Sequence, residues 1–286
     1  MLLDESLNYV TQGDAAARLK FPHSPAFRND IASNKRRGAG YISSRLDDGQ
    51  TVILVHQDGG SRGPAQVAPA ASAPRTIVGT SNTSATPTIL AARREMQRWQ
   101  FLALEPSAMR RPDRFQADPH VTSNGGHLPA TVHRLALDSS KTNGDVERVY
   151  AEIVARINQL VPIRDLRIDV DEVRQILTLQ ICEDSGIWLP AASLSDGTLR
   201  FLTLAILVSD PFAQGLICIE EPENGIHPAK MAEMVNLLRD LAVDADVQPG
   251  RDNPFRQVIV ATHSPAFVQL IHSQNKEDLL FAVETM

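Results

Sequence analysis

The second half of this chain shows two hydrophobic patterns: continuous apolar runs, and apolar residues at helical spacing. Residues 215–219 and 258–261 are continuous apolar runs, which is typical of strands buried on both faces of a parallel sheet. Apolar residues at helical spacing predict helices over 145–161 and 199–208. Helices that alternate with such strands indicate an α/β fold. The same patterns predict helices over 229–241 and 267–271, and strands over 166–170, 176–182 and 279–283.

The first half of the chain has a more mixed pattern. Asp47-Asp48-Gly49-Gln50 separates two alternating runs, which predicts a β-hairpin because Asp-Gly favours the required turn. Residues 57–88 are dense in small residues and proline and poor in large apolar ones, so we predict a flexible insertion. A turn and a helix are expected over 124–137. A longer helix is expected over 89–104, with these candidates for its buried face: Ile89, Leu90, Met96, Trp99 and Leu102.

Composition narrows the classes of function. The chain has 286 residues, of which 43% are hydrophobic and 22% charged, as in globular proteins. Its net charge is −6, so the molecule as a whole is not a basic nucleic-acid binder. No apolar run reaches the ~20 residues of a membrane span, and the N-terminus lacks the charge pattern of a signal peptide. Because Cys182 and Cys218 lie in apolar runs, we expect buried thiols in a cytoplasmic protein.

Residues 194–228 and 258–265 carry the polar groups that suggest chemistry. Ser195-Asp196-Gly197-Thr198 precedes an apolar helix, so its hydroxyls and free backbone N–H groups suit a phosphate. Glu220 and Glu221 end one predicted strand, and ligands of open α/β sheets bind beyond such strand ends. One acid could hold Mg²⁺ while the other polarises an attacking water. His263, just past the second strand, could hydrogen-bond a terminal phosphate or that water.

Each of these features also has an ordinary structural interpretation. Ser195 by itself is most often a helix N-cap, paired Glu residues at a strand end are usually solvated, and His263 before Ser-Pro could cap a turn. The basic segments 35–37 and 110–114 are interpreted first as solvated loops, with a phosphate or DNA contact as the alternative. The order and spacing of the polar groups taken together favour a nucleotide site.

Three stretches resemble the motifs of one ATPase superfamily. LSDGTLR at 194–200 resembles the signature motif of ABC-type ATPases, LICIEEPENGIHP at 216–228 their Walker B strand and D-loop, and VIVATHSP at 258–265 their His-switch strand. The form IEEPENGIHP is most similar to the RecF-like, SMC-related branch of AAA-family ATPases, which includes DNA-repair and antiviral-defence proteins. The close match covers about 189–270. A weaker one, through WQFLALEPSAMRRPD and GGHLPATVHRL, extends it back to about residue 98.

The resemblance implies a P-loop NTPase-like head that hydrolyses ATP with Mg²⁺. It implies that Glu220 holds the Mg²⁺, that Glu221 is the catalytic base and that His263 senses the γ-phosphate. It also implies a group that faces the γ-phosphate of a nucleotide held by a partner subunit, namely Ser195, Gly197, Thr198 and Arg200.

One motif of the resembled ATPases is missing from the sequence. No glycine begins the pattern G-x-x-x-x-G-K-[ST], whose backbone and Lys hold the β- and γ-phosphates. We therefore expect a head without its first strand and P-loop helix: a shortened product, a split subunit or a regulator that kept only its partner-facing surface. Residues 1–136 are predicted to be the remainder of the N-terminal lobe, with antiparallel strands. Residues 137–286 are predicted to be a helix and strand connector and the C-terminal ATPase lobe.

Three functions are compatible with these residues. The first is ATP hydrolysis by a dimer in DNA repair or antiphage defence, with DNA or a defence effector protein as a further partner and no membrane. The second is a non-enzymatic subunit that completes the nucleotide site of a P-loop-bearing ATPase. The third is a metal-dependent nuclease or phosphatase that uses Glu220, Glu221, Glu223 and His227. The nuclease or phosphatase function is disfavoured because no further Asp or His ligands stand out on other strands.

Overall fold

A computed structural model describes residues 3–33, 40–58, 64–72, 75–82, 84–141, 146–274 and 279. The chain divides into two compact units. The first contains Met1–Trp99 together with Asp244–Asn253, and the second contains Gln100–Val243 together with Pro254–Met286. Residue 136, where the sequence analysis divided two lobes, lies inside a helix of the second unit, and that division into lobes stays a prediction.

The first unit is built on a three-stranded antiparallel sheet. Its strands are β1 (Ile42–Asp47), β2 (Gln50–Val55) and β3 (Gln66–Pro69), in the order β1-β2-β3. The helices of this unit are α1 (Ala15–Arg18), α2 (Pro25–Ile31), α3 (Ile77–Thr80) and α4 (Pro87–Gln97). Its small hydrophobic core consists of Ile42, Ile53, Ala70, Val78 and Ile89.

Two predictions for this unit, the hairpin and the flexible insertion, can be compared with the structure. The hairpin is confirmed, because β1 pairs with β2 and the turn residues Asp48 and Gly49 have positive φ. The described part of the predicted insertion is more regular than expected, since it includes β3 and α3. The carboxylate of the buried Glu5 caps α3 by accepting hydrogen bonds from the N–H groups of Ile77 (2.7 Å) and Val78 (2.9 Å). The basic cluster at 35–37 lies outside the described residues.

The second unit contains a parallel sheet with the strand order β10-β9-β4. These strands are β4 (Gln100–Leu102), β9 (Gly215–Glu220) and β10 (Arg256–Ala261). The helix predicted over 89–104 is corrected here, because α4 ends at Gln97 and the chain then becomes β4. Parallel pairing with β9 provides backbone hydrogen bonds that a local helical pattern cannot anticipate.

An antiparallel sheet in the same unit has the order β5-β7-β6, with β8 also paired to β7. Its strands are β5 (Asp113–Arg114), β6 (Asp165–Asp171), β7 (Ile176–Cys182) and β8 (Trp188–Pro190). The helices are α5 (Pro106–Met109), α6 (Leu128–Lys141), α7 (Val146–Ile157), α8 (Asp196–Ser209), α9 (Met231–Leu241) and α10 (Pro265–Gln274). The predicted α/β fold, with a parallel sheet, antiparallel portions and flanking helices, is confirmed. Of the strand predicted over 279–283, only residue 279 is described.

Helix α8 lies at the centre of this unit and is apolar around its whole circumference. Phe201, Leu202, Leu204, Ala205 and Ile206 are consecutive or nearly so, and each is fully buried. A helix that is buried on all sides needs apolar residues on all sides. The position of its N-terminus is therefore set by packing along its length.

Arg256, the first residue of β10, fastens the other end of α8. Its buried guanidinium donates hydrogen bonds to the carbonyls of Ala213, Val208 (3.3 Å) and Asp210 (2.6 Å). Burial lowers the pKa of Arg256 to about 10, against the opposing effect of the Asp210 charge. The side chain thus remains cationic at neutral pH and joins β10 to the chain that leaves α8.

Candidate functional site

The carboxyl ends of β9 and β10 meet at one edge of the parallel sheet. Ala261 lies opposite Glu220 in the register, and the N–H of Glu221 continues the pairing by donating to the Ala261 carbonyl at 2.8 Å. His263 follows two residues later and is exposed, as is Glu220. The structure therefore brings the two predicted acids and the predicted histidine to the same edge.

Glu221 has an unusual backbone conformation at the end of β9. Its φ is +43°, in the left-handed region that non-glycine residues seldom occupy. The side chain of Asn224 donates a hydrogen bond of 2.6 Å to Oε2 of Glu221, so the turn that follows the strand orients the carboxylate. Strained residues of this kind cluster at functional sites.

Glu223 lies in the same turn but is buried, with 6% of its surface exposed. Its Oε1 accepts a hydrogen bond from the hydroxyl of Thr262, and that hydroxyl in turn accepts one from the N–H of Ser264 at 3.0 Å. Oε2 of Glu223 has no hydrogen-bond partner among the described residues. This carboxylate ties the segment after Glu221 to the segment that carries His263.

The turn at Ser195 forms the N-terminus of α8. Ser195 is the N-cap, and its Oγ accepts a hydrogen bond from the N–H of Thr198 at 3.2 Å. Within the described part of the chain, the N–H groups of Asp196 and Gly197 have no hydrogen-bond acceptor. Nε of Arg200, one turn further along, is buried without a partner among the same residues. Unpaired N–H groups at a helix N-terminus suit an anion.

Gly197 permits a close backbone contact that the sequence did not reveal. A Cβ built on Gly197 would lie 2.1 Å from the carbonyl oxygen of Gly225, far inside van der Waals contact. Gly225 itself has a φ of +80°, which glycine adopts without strain. The Ser195 turn is thereby placed against the loop that follows Glu221, in the same unit. Any larger residue at position 197 would separate them.

Arg110 holds the Ser195 turn from the other side. Its Nη2 donates hydrogen bonds to Oδ1 of Asp196 at 2.5 Å and to the carbonyl of Leu194 at 3.0 Å, and its Nε donates to the carbonyl of Ala192 at 3.2 Å. The solvated loop expected for residues 110–114 is wrong for Arg110, whose side chain is held by these hydrogen bonds. Arginine presents several donors in one plane, so one side chain can fix a whole turn.

The residues of the predicted metal-dependent nuclease do not converge. Glu223 is bound to Thr262, and Nδ1 of His227 accepts a hydrogen bond from the N–H of Ala229 at 3.2 Å. Among the residues that the structure describes, no group of three His, Cys, Asp or Glu side chains is placed to hold a metal ion. The nuclease interpretation therefore has no support from the geometry.

Arg110, Glu223 and Gly225 are the site residues that sequence reasoning missed or misassigned. Arg110 is one of three arginines in the segment Arg110–Arg114, and nothing local separates it from the others. From the sequence, Glu223 is predicted only as a possible metal ligand. Gly225 did carry a signal, since Asn-Gly is a turn dipeptide that predicts positive φ.

Comparison with known families decides the ancestry of this site. A family model described as "AAA domain, putative AbiEii toxin, Type IV TA system" matches residues 103–269, which is more than half of the chain. The chain belongs to this AAA-domain family. The match contains Arg110, the Ser195 turn, Glu220, Glu221 and His263. The predicted relationship to AAA-type ATPases is confirmed.

Among curated proteins, none matches the chain of this AAA-domain protein. Solved structures with some similarity include SMC heads. The SmcHead bound to the C-winged helix domain of ScpA has 11% identity and a TM-score of 0.39, over 91% of this chain and 78% of that one. The SMC head domain from Thermotoga maritima has 9% identity and a TM-score of 0.30, over 84% and 72%.

The Smc head domain of Pyrococcus furiosus, bound to the C-terminal domain of ScpA, has 8% identity and a TM-score of 0.32. The alignment covers 49% of this chain and 35% of that one, so this AAA-domain protein spans about a third of its length. Similarities of this size carry no argument on function, and the assignment rests on the family match. No helix in the described ranges is both long enough and apolar enough to cross a bilayer.

Proposed function

We propose that this AAA-domain protein is an ATPase head whose sheet edge and Ser195 turn contribute to ATP hydrolysis at a subunit interface. The observation that carries the proposal is the placement of the Glu221 turn directly against the N-terminus of α8, through Gly197 and Gly225. A carboxylate and a set of unpaired N–H groups then lie in one unit. This is the combination that phosphoryl transfer to water requires.

The residues divide the work by their chemistry. The hydroxyl of Ser195 and the N–H groups of Asp196 and Gly197 bind the γ-phosphate of ATP, with Thr198 and Arg200 on the next turn in support. Glu221, oriented by Asn224, accepts a proton from the attacking water, and His263 hydrogen-bonds the terminal phosphate. In this arrangement the phosphate binds at unpaired donors and the base lies on the adjacent turn.

The donor set also fits Mg²⁺ as it accompanies ATP. Mg²⁺ takes one or two carboxylates and fills its remaining positions with water and phosphate oxygens, so the exposed Glu220 is sufficient on the protein side. A site with three or more protein ligands would not fit, because the described residues form no such group. When bound, Mg²⁺ neutralises charge on the phosphates as a Lewis acid.

The sequence contains no G-x-x-x-x-G-K-[ST] loop to hold the β- and γ-phosphates of a nucleotide. We propose that a second, homologous ATPase subunit that carries such a loop presents its nucleotide to the Ser195 turn. The alternative is that this chain only completes the partner's site and hydrolyses nothing itself. The unpaired N–H groups of α8 support both forms, and Glu221 distinguishes them.

The family description favours one biological setting over the other. A putative toxin of a toxin–antitoxin system supports a role in defence, with an effector protein as the further partner, over DNA repair. The net charge of −6 also speaks against broad DNA contact. We place the activity in the cytoplasm, where ATP is abundant.

The test mixes this chain with a P-loop-bearing member of the family from the same genome. Phosphate release and light scattering are followed with and without ATP. We expect ATP-dependent association that Ser195→Arg abolishes, since the larger cation blocks the turn, and that Ser185→Arg, at an exposed turn, leaves intact. The isolated chain should bind Mg-ATP weakly.

Glu221→Gln should keep the association and lower phosphate release by ~10²–10⁴-fold, because the amide cannot accept a proton. Glu172→Gln, on another exposed turn, is the matched control. Unchanged turnover in Glu221→Gln would leave the non-enzymatic alternative. Association that ignores Ser195→Arg would refute the interface role of the turn.

A further inference from the structure

The second unit contains a concave pocket. None of the residues proposed for ATP hydrolysis lines it. Its volume is about 660 Å³, within the ~300–1,000 Å³ range of small-molecule sites. One wall of the pocket is formed by residues 122–126. The carbonyls of Ser123 and Asn124 in this wall accept hydrogen bonds from the N–H groups of Ala103 (2.9 Å) and Glu105 (2.9 Å), which follow the carboxyl end of β4. Strand ends of a parallel sheet are where ligands of such folds bind.

Two arginines give the pocket a positive lining. Arg111 and Arg114 both line it and are exposed, and neither side chain has a hydrogen bond or ion pair within the described ranges. The one carboxylate in the lining, Asp113, is buried and already engaged: its Oδ2 accepts from the N–H of Ala130 at 3.0 Å. The lining therefore carries two arginine charges against one carboxylate, which is already held by hydrogen bonds.

His127 lies in the lining in a strained and fixed conformation. Its φ is +65°, and Nδ1 lies 2.7 Å from Oδ1 of Asp113. Since a carboxylate oxygen accepts, Nδ1 carries the hydrogen and Nε2 is the ring nitrogen left for a ligand or water. The carbonyl of His127 also accepts a hydrogen bond from the hydroxyl of Thr131 at 2.7 Å. Strain of this kind persists where the surroundings hold it, often at ligand sites.

Asn124 adds neutral donors to the same wall. Its Oδ1 accepts hydrogen bonds from the hydroxyl of Thr122 (2.9 Å) and from the N–H of Gly126 (3.1 Å). This assignment leaves the side-chain amide N–H groups without an acceptor within the described ranges, and the exposed Ser123 supplies a hydroxyl nearby. A lining of arginines, an amide and a hydroxyl around a committed carboxylate is suited to an anion.

We propose that this pocket binds a small phosphorylated ligand of about mononucleotide size, separately from the ATP-hydrolysing edge. Guanidinium groups and oriented amides are the donors that proteins use for phosphate. The concave shape and the small number of cations favour a compact ligand over a nucleic-acid strand, which needs an extended basic track. Arg110, the residue before Arg111, is bonded to Asp196, so the pocket adjoins the Ser195 turn.

Isothermal titration of the full chain with adenosine 5′-monophosphate and with pyrophosphate tests the proposal. We expect saturable one-to-one binding that Arg111→Ala/Arg114→Ala weakens at least tenfold, since charge-assisted hydrogen bonds are lost. Both side chains are exposed, so the unfolding midpoint should stay unchanged. The control Arg148→Ala removes an exposed arginine of α7 and should leave the affinity as it was.

Three outcomes would overturn the proposal. The first is that neither probe binds. The second is binding that Ser195→Arg abolishes and the double variant does not, because the anion would then occupy the turn at α8. The third is binding of a 12-nucleotide single strand, lost in the double variant, with no binding of either small probe. None of these depends on ATP turnover, so the proposed function can fail independently.

Discussion

Replacing Thr262 by Val should loosen the connection between the two strand ends of the candidate site. The valine has nearly the same shape but cannot donate to Glu223 or accept from the N–H of Ser264. Glu223 would then be a buried carboxylate with both oxygens unpartnered among the described residues. The structure therefore predicts a large effect for the loss of a single oxygen atom.

The magnitude follows from the two hydrogen bonds that are lost. A hydrogen bond to a charged group contributes ~1.5–3 kcal/mol, and a neutral one about 1 kcal/mol. We expect the free energy of unfolding to fall by roughly 2–4 kcal/mol in Thr262→Val. Thr262→Ser keeps both hydrogen bonds and loses one methyl group, so its loss should stay near or below ~1 kcal/mol.

Urea unfolding followed by tryptophan fluorescence can isolate the relevant unit. The chain has two tryptophans: Trp99 ends the first unit, and Trp188 lies in β8 of the second. In a Trp99→Phe background, the fluorescence of Trp188 therefore reports the second unit alone. The guanidinium carbon of Arg167 lies 4.0 Å from the centre of its ring, so unfolding changes the surroundings of the indole.

A double-mutant cycle with Glu223→Met measures the coupling energy between residues 223 and 262. Removing both partners leaves no unpaired carboxylate, and only the N–H of Ser264 still lacks its acceptor. The double variant should therefore be more stable than the sum of the single losses predicts, by ~1.5–3 kcal/mol. Equal losses for Thr262→Val and Thr262→Ser would contradict the reasoning. So would a coupling below ~0.5 kcal/mol, which is the size expected for independent sites.

Two further predictions concern packing and pH. Gly197→Ala should destabilise the second unit by ~1–3 kcal/mol, because the added Cβ would overlap the carbonyl of Gly225. Gly250→Ala is the control, since a Cβ there meets no atom within 4 Å. Thermal unfolding of the two variants compares their stability. Burial raises the pKa of Tyr150, opposed by a backbone hydrogen bond with Ile168, so the folded state holds this proton more tightly than the unfolded state. Stability from this group is complete below pH ~10 and is lost as the pH rises from there towards the raised pKa, and Tyr150→Phe should flatten that loss in unfolding measured from pH 8 to 11.

The sequence by itself determined the elements whose patterns are long and unmixed. β9 is a continuous apolar run, and α8 is mostly apolar from Leu199 to Val208, interrupted by Arg200 and Thr203. Both elements, and the acids and hydroxyls at their ends, could therefore be located. Because strand ends and helix N-termini are where ligands bind in α/β folds, Ser195, Glu221 and His263 could be named as candidate site residues from position alone, and their roles stay predictions.

Only the tertiary structure decided which polar residues serve those positions and how. β4 has three residues and continues a helical pattern, and it becomes a strand by pairing with β9, more than a hundred positions away. In the sequence, the residues next to Arg110 and Glu223 do not distinguish them from solvated charged residues. They acquire their roles because folding brings Asp196 to one and Thr262 to the other. Hydrogen bonds between distant residues leave no periodicity in the sequence, and so they appear only once the chain is folded.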